Sequence, residues 1–116
     1  MIKSCTTTPE NSHYKDGIEA ENMVKNDLET SGWKCCLSSG SKGPVDIYAF
    51  DQEHTKHGIQ VRLRHGGKCS MTHKEQNKLI SFSKKIGAIP VLAAVCKECS
   101  SFALQNLITE ERIHYD

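Results

Sequence analysis

The feature that most restricts the fold is one almost wholly apolar run, residues 89–95, in the last third of the chain. A strand of this composition is typical of the middle of a sheet, where both faces are covered. Residues 72–86, just before it, predict a helix with Thr72 as the N-cap and Glu75 completing a capping box. Because a strand reached through a helix lies parallel to the strand before that helix in most proteins, the run predicts a parallel strand pair.

The strands that precede this helix are predicted to form a hairpin. Residues 45–50 are its first arm, and residues 58–63, with alternating apolar and polar side chains, are its second. A helix over about residues 15–31 and a short strand over 33–37 come before the hairpin. The element order α-β-β-β-α-β predicts an α/β fold with a central mixed β-sheet flanked by helices. The tail, residues 102–116, predicts a further short helix.

The chain has 116 residues, enough for one core. We expect a flexible leader over residues 1–12 and a single domain over residues 13–116. A composition of 37% hydrophobic and 25% charged residues excludes a wholly disordered chain. The start of the chain is polar, and no apolar run approaches the roughly 18 residues that span a bilayer. These features predict a cytoplasmic protein with no membrane partner.

Positive charge is concentrated in the middle of the sequence. The net charge is +1, but residues 56–85 carry eight Lys and Arg residues against one acid, Glu75. This distribution has two interpretations: a surface that binds a polyanion such as DNA, or a run of lysines that are simply solvated.

The six cysteines leave two interpretations open. Cys96 and Cys99 have half of a zinc-type spacing, which a distant cysteine or histidine would have to complete. Without a second adjacent pair, reduced cysteines that pack in the fold or pair reversibly are the alternative.

Three side chains on the two hairpin arms are candidates for chemistry. Asp46 opens the first arm, while Gln60 and Arg62 share one face of the second arm, and a suitable register brings them together. Glu21, on the first helix, could add a second carboxylate. Two carboxylates and an amide carbonyl oxygen suit a hard cation such as Mg²⁺, which can activate water against a phosphodiester. The alternative to a metal site is that Asp46 is an acid near a turn, that Gln60 and Arg62 face solvent on their strand, and that Glu21 is one of several acids on an exposed helix.

A set of short motifs carries a family resemblance. In chain order they are Lys15-Asp16-Gly17, Leu28-Glu29-Thr30-Ser31-Gly32-Trp33, Ser38-Ser39-Gly40-Ser41, Val45-Asp46-Ile47-Tyr48-Ala49, Ile59-Gln60-Val61-Arg62 and Gly87-Ala88-Ile89-Pro90-Val91-Leu92. Their order and spacing, over about residues 14–95, resemble the archaeal Holliday-junction resolvases. The resemblance implies the restriction-endonuclease-like fold of the PD-(D/E)XK nucleases. It also implies a homodimer, dependence on Mg²⁺ with Mn²⁺ as a substitute, and hydrolysis of phosphodiesters in four-way DNA junctions.

The resemblance assigns roles to the same side chains. Glu21 and Asp46 match the family's metal-binding acids, whereas Gln60 and Arg62 stand where the family has glutamate and lysine. Gln60 keeps a carbonyl oxygen for the metal but removes one negative charge, which should weaken cation affinity. Arg62 stays charged, so it cannot accept a proton, although it can stabilise charge that develops on a phosphate.

Further residues are candidates for contact with DNA phosphates. They are the loop residues Ser39, Ser41 and Lys42 together with Arg64, Lys68, Lys74 and Lys78. Two functions remain open: a metal-dependent, structure-selective DNA endonuclease, or a resolvase-like paralogue that binds branched DNA without cutting it. A nuclease that acts on flaps, nicked duplexes or RNA is a third alternative.

Overall fold

The computed structural model describes residues 9–38, 43–64, 71–96 and 100–115, with side chains from residue 17 onward. The order of elements is α1 (Pro9–Thr30), β1 (Lys34–Leu37), β2 (Ile47–Phe50), β3 (Lys56–Leu63), α2 (His73–Lys85), β4 (Ile89–Cys96), β5 (Ser101–Asn106) and β6 (Arg112–Ile113).

The described strands form one mixed sheet in the order β1-β2-β3-β4-β5-β6. β2 and β3 are the predicted antiparallel hairpin, with Ile47 opposite Ile59 at its open end. β3 and β4 run parallel, from His57 opposite Ile89 to Leu63 opposite Val95. The predicted parallel pair is therefore confirmed, and α2 is the connection between its two strands.

The two helices cover opposite faces of this sheet. Ala20, Val24 and Leu28, spaced one helical turn apart on α1, pack in the same buried cluster as Val91 of β4. Leu92, the next residue, belongs to the cluster that contains Leu79 of α2. Because successive strand residues point to opposite faces, a strand covered on both sides must be apolar throughout, as β4 is.

The residues at the C-terminus of α1 and at the N-terminus of α2 explain where these helices end and begin. α1 ends in a Schellman motif, in which Trp33 N donates to Leu28 O at 3.0 Å and Gly32, with a φ of 97°, occupies the left-handed position. α2 begins with the predicted capping box between Thr72 and Glu75. α1 begins at Pro9, earlier than predicted, and proline suits the first turn of a helix. Residues 1–8 of the predicted leader lie outside the described residues.

The helix predicted for the tail is wrong, because this segment forms β5 and β6. Phe102 and Leu104 are buried, whereas Ser101 and Gln105 are exposed, a period of two rather than 3.6. β5 pairs antiparallel with β4 and so satisfies the backbone groups on that side of a buried strand. Among the helices of the described segments, none combines the length and the apolar character needed to span a bilayer.

Candidate metal and DNA site

Asp46 is held at the open end of the hairpin by two hydrogen bonds to β3. Its backbone N donates to Ile59 O at 2.8 Å, and its carboxylate Oδ2 accepts from Val61 N at 2.9 Å. β2 begins one residue later, so the carboxylate receives a strand N–H group that lies just past the paired register. These contacts fix the orientation of the Asp46 carboxylate, which is half-buried.

Glu21 is a second carboxylate, and the charge of the first acts on it. It follows the buried Ala20 on α1, which is packed against the sheet. Burial and the negative charge of Asp46 both raise the pKa of Glu21. Burial likewise raises the pKa of Asp46, against the opposing effects of the Val61 N–H group and the Arg62 charge. Burial and mutual repulsion thus make two negative charges costly at Glu21 and Asp46 without a cation.

Gln60 contributes a buried oxygen that has no hydrogen-bond partner among the described residues. Ile47 is opposite Ile59 in the antiparallel hairpin. The same register places the preceding residue, Asp46, opposite Gln60. Leaving a buried acceptor unsatisfied costs about 1–3 kcal/mol, and such atoms in native proteins commonly bind water or an ion. Gln60 also lines a cleft of about 350 Å³ with Gly43, Pro44, Glu75 and Lys78.

Arg62 forms an ion pair that the sequence did not predict. Its Nη2 donates to Oε2 of Glu75, in the first turn of α2. The other oxygen of Glu75 accepts from Thr72 N at 3.0 Å, within the capping box. The Thr72 backbone N–H group, followed by Arg62, lowers the pKa of Glu75. The sequence predicts only the capping role of Glu75. The pair with Arg62 arises because α2 follows β3 in the chain, and its first turn lies near Arg62.

The donor set fits a hard divalent cation. Within the described residues, no group of three or more His, Cys, Asp or Glu side chains is placed to hold a metal ion. The candidate ligands are instead the carboxylates of Glu21 and Asp46 and the amide oxygen of Gln60, which has no hydrogen-bond partner among the described residues. Ligands that are all oxygen suit Mg²⁺ or Mn²⁺. Cys96 ends β4, and Cys99, with which it has the zinc-type spacing, lies outside the described residues.

Two of the predicted DNA contacts lie in one groove. Lys74 and Lys78 are exposed on α2 and line a groove of about 450 Å³ that also includes Lys85, one further basic residue on the same helix. Lys78 and Pro44 line both this groove and the cleft at Gln60, so the two depressions adjoin. Lys85 was not among the predicted DNA contacts, although its spacing of seven residues from Lys78 places both on one helix face.

Of the remaining predicted DNA contacts, only Arg64 belongs to the described residues. Arg64 lines a separate depression that includes Arg112 and Glu110. Ser39, Ser41, Lys42 and Lys68 lie outside the described residues.

Comparison with solved structures shows the fold. The chain is similar to Hjc, a Holliday junction resolvase from the archaeal hyperthermophile Archaeoglobus fulgidus, with a TM-score of 0.69 and 21% identity over 85% of this chain and 84% of that one. It is also similar to the bacterial homing endonuclease I-Ssp6803I, with a TM-score of 0.55 and 11% identity over 86% and 76%. The predicted restriction-endonuclease-like fold is therefore confirmed.

Comparison with protein families gives a more specific result. The model for the archaeal Holliday junction resolvase (Hjc) family matches residues 12–116, which is nearly the whole chain. The match includes Glu21 on α1, the hairpin that holds Asp46, and α2 with its lysines. Together with the fold and the predicted motifs, it shows that this chain belongs to the archaeal Holliday junction resolvase family.

Proposed function

We propose that this protein is a metal-dependent, structure-selective endonuclease that cuts four-way junctions and related branched DNA. The observation that carries the proposal is the Asp46 carboxylate, which the Val61 N–H group holds at the open end of the hairpin. Its negative charge raises the pKa of Glu21, and the strand register places it opposite Gln60, whose buried oxygen has no hydrogen-bond partner among the described residues. Family membership and the name of the Archaeoglobus fulgidus relative support branched DNA as the substrate.

Glu21, Asp46 and Gln60 would hold Mg²⁺ or Mn²⁺ through oxygen atoms. The bound cation would supply an activated water and stabilise negative charge on the scissile phosphate. Val61 N–H fixes one oxygen of Asp46, so this carboxylate is oriented before any ligand arrives. Because Gln60 is neutral, the site has two negative charges rather than three, and we expect it to need a higher cation concentration than a site with three carboxylates.

Arg62 would act through its charge and not by proton transfer. Its guanidinium stays protonated throughout the working range of pH. Its charge already reaches the reacting centre, since it opposes the rise in the pKa of Asp46. The positive charge that acts on Asp46 would also attract the phosphate that approaches the metal.

DNA would be bound through its phosphates along the outer face of α2. Lys74, Lys78 and Lys85 line a groove that adjoins the Gln60 cleft, so a strand leaving the cleft meets positive charge. Contacts of this kind select the shape of the DNA more than its sequence, and they weaken steeply with salt. A homodimer would present two such sites, and two sites are needed because resolving a junction requires a cut in each of two strands.

A second function is favoured by a specific observation. Arg62 is engaged by Glu75, and Gln60 lacks the charge of a glutamate, so the site differs from a Glu and Lys pair at two positions. A paralogue with this site could retain the DNA-binding surface and hold junctions without cutting them.

Incubation of the purified protein with end-labelled four-way junction and Mg²⁺ or Mn²⁺ separates the two functions. Asp46→Asn removes the charge from the proposed site, and Asp51→Asn, a change at the other end of β2, is the matched control. Paired nicks with the wild type and Asp51→Asn that are lost with Asp46→Asn would support the endonuclease. Retention of the junction without nicks would support the binding protein, and neither binding nor cutting would refute both.

A further inference from the structure

Arg62 lies within reach of two carboxylates and is paired with one of them. Its guanidinium forms an ion pair with Glu75, and no ion pair joins it to Asp46 among the described residues. Arg62 also follows Val61 on β3, and the backbone N of Val61 donates to Asp46 Oδ2 at 2.9 Å, so Arg62 is adjacent to the residue that holds the Asp46 carboxylate. The position of this one side chain therefore decides how much positive charge Asp46 receives.

Glu75 is well suited to retain the guanidinium. Its Oε1 accepts from Thr72 N at 3.0 Å and from Thr72 Oγ1 at 3.3 Å, while its own N–H donates to Thr72 Oγ1 at 3.1 Å. These contacts fix the carboxylate in the first turn of α2, where the helix dipole favours negative charge. Oε2 is left to receive Arg62. Glu75 thus offers Arg62 an ordered partner that costs little side-chain entropy to engage.

The proposed metal ligand Asp46 is the competing partner. Its carboxylate also lies at the end of the hairpin, and an arginine fork binds carboxylates in a bidentate manner. If Arg62 turned from Glu75 to Asp46, it would occupy oxygens that a divalent cation needs. The cation and the guanidinium would then compete for one carboxylate.

We propose that Glu75 is a positioning residue that holds the Arg62 guanidinium away from the Asp46 carboxylate, leaving Asp46 and Glu21 able to bind a divalent cation. The effect on the cation rests on the function proposed above, whereas the placement of Arg62 does not. The role explains why a carboxylate that already caps α2 also contacts β3. It also assigns a purpose to the arginine in place of the family's lysine, because the longer, forked side chain reaches the first turn of the helix.

Glu75→Gln tests the placement, since glutamine at this position keeps the capping box but loses the charge that binds Arg62. Thr72→Ala is the matched control, because it weakens the cap and leaves the Arg62–Glu75 pair in place. Two quantities are measured on protein without DNA: the position of Arg62 in a crystal structure, and the affinity for Mn²⁺ by calorimetric titration.

We expect Arg62 to contact Asp46 within about 4 Å in Glu75→Gln, the distance that defines an ion pair. The affinity of this variant for Mn²⁺ should fall about tenfold, whereas that of Thr72→Ala should stay within about twofold of wild type. In an Arg62→Met background, Glu75→Gln should no longer change the affinity, since no guanidinium remains to compete.

An Arg62 side chain that stays away from Asp46 in Glu75→Gln would overturn the proposal, as would an equal loss of affinity in the Arg62→Met background. If the wild type binds no Mn²⁺, the metal site of the proposed function fails. The crystal structure of Glu75→Gln then still decides the placement of Arg62: contact with Asp46 supports the positioning role, and continued separation refutes it.

Discussion

Asp46 has two separable roles, and two substitutions distinguish them. Its carboxylate is the proposed metal ligand, and its Oδ2 also accepts the Val61 N–H at 2.9 Å. Asp46→Asn removes the charge but keeps an oxygen that can accept this bond. Asp46→Ala removes both. The two variants should therefore be equally inactive in cleavage and unequally stable.

The size of the stability difference follows from that hydrogen bond. An unsatisfied backbone N–H group costs about 1–3 kcal/mol when it is buried. Val61 is half-buried, so part of the loss is recovered by water, and we expect Asp46→Ala to be about 1–2 kcal/mol less stable than Asp46→Asn. Urea denaturation measures the difference, because the chain's one tryptophan, Trp33, is 5% exposed and its fluorescence reports unfolding. Equal free energies of unfolding would refute the structural role.

The difference in stability between Asp46→Asn and the wild type should depend on pH. Burial raises the pKa of Asp46 in the folded state above its ordinary value of 3.8, so the folded protein binds this proton more readily than the unfolded chain. The penalty for the charged form is then full at neutral pH and is relieved as pH falls through the raised pKa. Asp46→Asn should be more stable than wild type at pH 7, with the gap narrowing toward about pH 4. A gap that widens on acidification would contradict the assignment.

Three further predictions concern the site and its frame. Gln60→Glu combined with Arg62→Lys should raise junction nicking at least about tenfold, since it adds a charged metal ligand and a compact cation; an unchanged nicking rate would count against an eroded but intact site. Lys78→Gln should reduce the slope of log affinity against log salt by about one, while Lys34→Gln, on the edge strand β1, should leave it unchanged. Gly58→Ala should destabilise the fold by about 1–3 kcal/mol in urea denaturation, because the added methyl would lie 3.0 and 3.1 Å from two packed side-chain atoms; a neutral effect would show that these side chains can move.

Most of the central architecture could be predicted from local patterns. The apolar run of β4 and the capping box of α2 identified a parallel crossover, because each pattern has few structural explanations. The last segment was predicted wrongly, since Leu104, Leu107 and Ile108 mimic helical spacing over a short stretch. The segment forms a strand because β5 pairs with the free edge of the buried strand β4. Its side chains Phe102 and Leu104 pack in the same buried cluster as α1.

Part of the candidate site could also be predicted from the sequence, and part could not. Asp46 immediately precedes β2, and its contact with β3 could be predicted because hairpin register brings the start of one arm to the end of the other. The pair between Arg62 and Glu75 could not, since it joins residues 13 apart across a loop and depends on how α2 sits on the sheet. The unpartnered oxygen of Gln60 is likewise a property of packing, and sequence alone does not reveal it.

The central claim is that Glu21, Asp46 and Gln60 share one divalent cation. Anomalous diffraction from crystals soaked in Mn²⁺ measures this directly, without DNA and without turnover. We expect a manganese peak within bonding distance of Asp46 and of the Gln60 amide oxygen. Clear electron density for all three side chains with no anomalous peak between them, at a Mn²⁺ concentration that saturates cleavage, would contradict a shared cation site.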